Sequence, residues 1–62
     1  MTYRRNERVR IKSKVQDKNG RNIEAGSTAK VKQVIENPVN VIIVECESGQ
    51  IGYIVPAHLE KA

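Results

Sequence analysis

Sixty-two residues with a single cysteine make one domain near the lower size limit for an unaided core, with no disulfide framework and no Cys/His spacing for a structural metal. Eleven Lys or Arg against seven Asp or Glu leave a net charge of +4, unevenly spread: residues 1–32 hold ten cations and three acids, residues 33–62 only Lys61 and four acids. No apolar run is long enough for a membrane span, and the opening six residues lack the apolar segment of a signal peptide, so a reducing, cytoplasmic setting is expected.

Residues 1–7, with Arg4 and Arg5, are expected to form a flexible basic arm ahead of a single domain at 8–62. Arg8 to Val15 alternates strictly between cationic and mostly apolar side chains. Because strand side chains alternate faces, Val9, Ile11, Ser13 and Val15 fall on one side and Arg8, Arg10, Lys12 and Lys14 on the other. Gln16 to Gly20 ends in Asn-Gly, a turn dipeptide that tolerates positive φ, and Arg21 to Ala25 continues the excursion with Ile23 directed at the core. After Gly26 the pattern predicts a second strand over 28–35, with Ala29 and Val31 inward and a change of period near Val34 and Ile35 that marks a bulge.

Asn37-Pro38 makes the next turn. The third strand, 39–47, carries the run Val41 to Val44, which fits a strand covered on both faces or an oligomer interface. Glu47 to Gln50 is a hairpin signal, and the fourth strand, 50–55, sets Ile51, Tyr53 and Val55 on one side. Pro56 to Leu59 reads as one short helical turn, since proline suits a first helical position, and Glu60 to Ala62 ends the chain as a fifth strand. The expected fold is all-β, a five-stranded barrel with a short helical turn before the last strand.

Gly49 to Pro56, followed by Ala57 to Glu60, resembles the end of SH3 domains, where a Gly-aromatic-aliphatic strand runs into proline and a short turn; Val55 lengthens that strand by one residue. Arg5 to Ile11 resembles the first strand of several small SH3-like families: the E-type proteins of photosystem I, the variable chain of ferredoxin–thioredoxin reductase, type II dihydrofolate reductases, and KOW-type ribosomal and transcription modules. Val39 to Glu45 also resembles the middle strand of the photosystem family. The likeness runs from about Arg5 to Glu60 and implies the SH3-like barrel superfamily; it selects no single family, because each matched piece serves folding.

The candidate site is a cationic face. An antiparallel second strand would add Lys30 and Lys32 to Arg8, Arg10, Lys12 and Lys14, with Arg4 and Arg5 on the arm and Lys18 and Arg21 flanking. Like charges opposite one another in a sheet are mildly destabilising, so a counter-anion would be welcome there. For nucleic acid this is a backbone footprint without base readout. Base stacking is disfavoured, because Tyr3 and Tyr53 are the only aromatic residues, and the same shortage argues against a groove for polyproline peptides. The plain alternative is a solvated face that keeps a small domain soluble.

His58, on a surface turn, has no identifiable acid or nucleophile partner, and Cys46 between Glu45 and Glu47 is not placed to be a reactive thiolate. The dihydrofolate reductase resemblance implies a Val-Gln-Ile-Tyr stretch before the proline; here Gly52 to Val55 stands there, and Tyr53 takes the place of the key glutamine. The expected function is therefore a non-catalytic module, without cofactor or metal, that docks an anionic macromolecule such as a nucleic-acid backbone or a ribonucleoprotein. The alternative is an accessory subunit of a larger or electron-transfer complex that docks an acidic protein such as a ferredoxin. Oligomerisation through Val41 to Val44 or a strand edge is the further expectation.

Overall fold

A computed structural model describes residues 3–62; the first two residues of the expected arm lie outside them. Among the described residues seven strands form: β1 (Arg8–Ile11), β2 (Val15–Gln16), β3 (Asn22–Ile23), β4 (Thr28–Ile35), β5 (Val41–Cys46), β6 (Ile51–Ile54) and β7 (Leu59–Lys61). Among the described residues the one helical element is a 3-10 turn, Pro56–His58, set just before β7 as the proline signal implied. The large sheet has the order β6-β5-β4-β1-β7 with every pairing antiparallel, and β2 and β3 form a separate two-stranded ribbon.

β-Branched residues at every second position explain these strands and their burial. Val9 and Ile11 of β1, Ala29 and Val31 of β4, Ile42, Val44 and Cys46 of β5, Ile54 of β6 and Leu59 of β7 point inward and form one core with Ile23 of the ribbon. Tyr3, Val15 and Val34 pack at its margin. The bulge in β4 is present, with Lys32 the extra residue between the Val31↔Val44 and Gln33↔Ile43 pairs. Gly49 closes the β5–β6 hairpin at φ +92°, a left-handed conformation costly for any residue with a Cβ. Gly52 has a different reason: a Cβ there would lie 3.2 Å from both Ile23 Cδ1 and Ile54 Cδ1, so its bareness is what lets the ribbon close on β6.

The first strand is shorter than the alternation implied. Ile11 N–H donates to Ser27 O and its carbonyl accepts Gly26 N–H, the last bonds toward β4, while Lys12 N–H donates to His58 O and carries the β1–β7 register one residue further. Past Lys12 the chain leaves the large sheet for the ribbon. Ser13 is exposed rather than inward, and Val15 joins the ribbon opposite Ile23. A second difference concerns β5. It lies between β4 and β6, yet only its inner face is buried; Val41 and Ile43 on the outer face are half-exposed.

Candidate anion-binding face

Alternation in β1 and β4 sends Arg8, Arg10 and Lys30 to the outer face, and the register sets Arg8 directly opposite Lys30. The antiparallel pairing that the sequence pattern allowed for is present, with like charges opposite one another. Carboxylates not anticipated on this face lie among the cations. Arg8 Nη2 is 3.6 Å from Glu47 Oε2, Arg10 Nη1 donates to Glu60 Oε2 at 3.0 Å, and Lys32 Nζ is 3.3 Å from Glu45 Oε1. The register places two of these acids: Glu60 of β7 is opposite Arg10, and Glu45 of β5 is opposite Lys30. Arg8, Thr28, Lys30, Glu45 and Glu47 line a shallow open depression of about 350 Å³. The centre of the face is a mosaic of both signs.

Uncompensated charge lies at Lys30 and at the two ends of the face. Lys12 and Lys14 occupy the link between β1 and β2, exposed, and with Lys30 make no ion pair among the described residues. At the opposite end of β1, residues 4–7 form a turn joined to β4: Asn6 N–H donates to Val31 O and Glu7 O accepts from Val31 N–H. Arg4 and Arg5 are exposed on this turn. Glu7 is held there by the Lys61 ammonium and by Arg4 N–H, and these donors, Lys61 foremost, keep its carboxyl below the usual value. The eight candidate cations thus follow the line of β1: Arg4 and Arg5 at its start, Lys12 and Lys14 past its end, and between them Arg8, Arg10 and Lys32 paired with carboxylates beside an unpaired Lys30.

No family model, curated protein or solved structure matches this chain.

One organising residue was missed by the sequence reading. Asp17 is 8% exposed, and its carboxylate accepts three hydrogen bonds: Oδ1 from Asn19 N–H (2.8 Å) and Arg21 N–H (2.9 Å), Oδ2 from Gln50 Nε2 (3.0 Å). Burial pushes this carboxyl up, but the bonds from Gln50, Arg21 and Asn19 outweigh it and hold the pKa below its ordinary value. Gln50 Nε2 also donates to Asn22 O, and its Oε1 accepts from Ser48 Oγ. This network ties the β2–β3 loop to the β5–β6 turn and carries Lys18 and Arg21 with it. The signal was available: an aspartate two residues before Asn-Gly is an Asx-turn former.

His58 is exposed on the 3-10 turn, and Tyr53 points outward from β6 with 59% exposure. Cys46 is buried; desolvation, assisted by the Asp17 carboxylate rather than by Glu45 or Glu47, pushes its thiol up. Among the described residues no helix is long and apolar enough to cross a membrane.

Proposed function

We propose that this chain is a small SH3-like barrel acting as a non-catalytic binding module that docks an anionic partner, a nucleic-acid backbone or ribonucleoprotein, along the line of β1. The barrel reading draws support from the Asp17↔Gly52 bridge and the Lys18 N–H to Ile51 O bond, which carry pairing from the ribbon to the free side of β6 around one core. The observation that carries the function is the direct opposition of Arg8 and Lys30, extended by the unpaired Lys12 and Lys14. Such an arrangement is stabilised by phosphates or carboxylates from outside. Its readout is of charge, because neither tyrosine offers a platform on this face for a base.

A second reading, an accessory subunit docking an acidic protein, is favoured by one feature. Glu45, Glu47 and Glu60 interrupt the cations, which suits discrete carboxylates on a protein better than a continuous run of phosphates. Titration at low salt against duplex DNA, structured RNA and an acidic redox protein separates the two. Lys12→Glu with Lys14→Glu, both exposed and unpaired, leaves the fold intact and should weaken the true interaction at least ten-fold. Equal binding by the double variant, or no binding to any of the three, refutes a functional cationic face.

A further inference from the structure

Asparagine is thermolabile because the next backbone nitrogen can attack its carboxamide, and Asn19 is the only one of five asparagines followed by glycine. Glycine has no side chain to shield that nitrogen. Gly20 sits at φ +83° in open space, with nothing within 4 Å of the position a Cβ would take. The Asn19 side chain is exposed, and its carboxamide makes no hydrogen bond among the described residues. The electrophile is therefore free, but the nucleophile is not. Gly20 N–H donates to Asp17 O at 3.0 Å, closing a turn over Lys18 and Asn19. Asn19 N–H and Arg21 N–H, on either side of it, are both held by Asp17 Oδ1, at 2.8 and 2.9 Å. Asp17 is itself buried, and Gln50 Nε2 on its other oxygen fastens it to the β5–β6 turn. The Asn19–Gly20 link cannot rotate into an attacking geometry while these bonds persist.

We infer that Asn19 is a succinimide-forming modification site which the Asp17 network keeps latched, and whose reaction unlatches the β2–β3 loop for good. The step needs only water. Gly20 N gives up its proton and bonds to Asn19 Cγ; the Cγ–Nδ2 bond breaks, and Nδ2 leaves as ammonia with that proton. Water then opens the ring. Cleavage of the new N–Cγ bond restores the ordinary backbone with an aspartate side chain, whereas cleavage at the main-chain carbonyl routes the backbone through Cβ as isoaspartate. Isoaspartate lengthens the path from Asp17 to Gly20 by one carbon, so the turn bond and the two bonds to Oδ1 cannot all re-form. Either product lowers the net charge of +4 by one and sets a new carboxylate two residues from the buried Asp17, between Lys18 and Arg21.

The rate of the reaction follows the population of opened loop, so it measures the latch. The full chain is held in mildly alkaline buffer, with and without concentrated guanidinium chloride. Ion exchange follows the acidic product, and fragmentation mass spectrometry locates it. The native chain should react at least about ten-fold more slowly than the unfolded one. Asn19→Gln, which keeps every backbone donor, should remove the acidic product. Asp17→Ala, which deletes the acceptor of two of the N–H bonds, should bring the native rate to within about three-fold of the unfolded rate. Should that variant fail to fold, Gln50→Ala decides: it frees Asp17 from the β5–β6 turn and should speed the native reaction at least about three-fold. The purified isoaspartyl chain should unfold at a lower denaturant midpoint than the unaltered one. A native chain that reacts as fast as the unfolded one overturns the latch, as does a folded variant that reacts no faster. Undiminished product from Asn19→Gln overturns the site, and an isoaspartyl chain of unchanged midpoint overturns the unlatching.

Discussion

Replacing Glu45, Glu47 and Glu60 together by Gln tests how the mosaic on the β1 face governs binding. Each carboxylate is within 3.6 Å of a cation, so a phosphate bound to the far side of that cation sits about 6 Å from the acid. At 6 Å two unit charges repel by roughly 0.7 kcal/mol in bulk water, and by about half that at physiological salt, where the Debye length is about 8 Å. Removing one carboxylate should then improve affinity for a polyanion about two- to three-fold, and removing three about five- to thirty-fold. Folding should barely change, because these pairs are exposed and such pairs contribute about 0–1 kcal/mol each. Fluorescence anisotropy with labelled duplex and structured RNA, alongside a urea titration, measures both. Lys12→Gln is the converse perturbation. It should flatten the logarithmic salt dependence by about 0.9 on duplex, or about 3.5-fold less loss of affinity between 50 and 200 mM salt. A triple variant that binds no more tightly refutes docking over the middle of β1; one that binds more weakly means the carboxylates themselves touch the partner.

Three further outcomes concern the fold. Ile42→Ala, at a side chain with no exposure, should cost about 2–5 kcal/mol by urea unfolding, a large part of what a domain of this length possesses. Asp17 has a carboxyl pKa below its unfolded value, so its contribution is fully present above the unfolded pKa and is lost as pH falls through the folded one. Asp17→Asn, which keeps the Oδ1 acceptor, should be less stable near neutrality and approach the unaltered chain in strong acid; a constant gap on the way down would show that the charge contributes nothing. Cys46, buried and with its thiol pKa raised, should react with a thiol reagent only at the rate of unfolding, and rapid labelling of the native chain would contradict its placement.

Strand positions were legible because a period of two in Val9/Ile11, Ala29/Val31 and Ile42/Val44 is a direct consequence of one buried face. The turn at Gly49 and the 3-10 turn after Val55 were legible for local reasons, positive φ and proline geometry. The break at Lys12 was not, since Lys12 to Val15 continues the same alternation. Pairing with β4 stops at Ile11, whose carbonyl takes the Gly26 N–H from the turn before β4, while Lys12 N–H still keeps the β1–β7 register at His58 O, and both partners are remote in sequence. The charge mosaic was hidden for the same reason. The three acids come from β5, the β5–β6 turn and β7, and the alternation of β1 says nothing about which strands flank it. Tyr53 shows the limit of the alternation rule: it groups Ile51, Tyr53 and Val55 on one side, but Gly52 and Ile54 are the residues that pack inward.

The placement of β1 between β4 and β7 bears on the order in which the molecule assembles. β4, β5 and β6 are joined by short turns and pair with their neighbours in sequence, so this meander can form early from local contacts. β1 has no local partner in the sheet: its Arg10 meets Glu60, fifty residues away, and Ala62 N–H donates to Arg8 O. Closing so long a loop is a slow step, and until it closes the edge of β1 that faces β7 is uncovered. During synthesis the most cationic strand can pair with β4 while its other edge stays open until the residues of β7 emerge. Losing those few residues would remove the strand that seals the sheet, leaving a chain competent to aggregate rather than a slightly shorter domain.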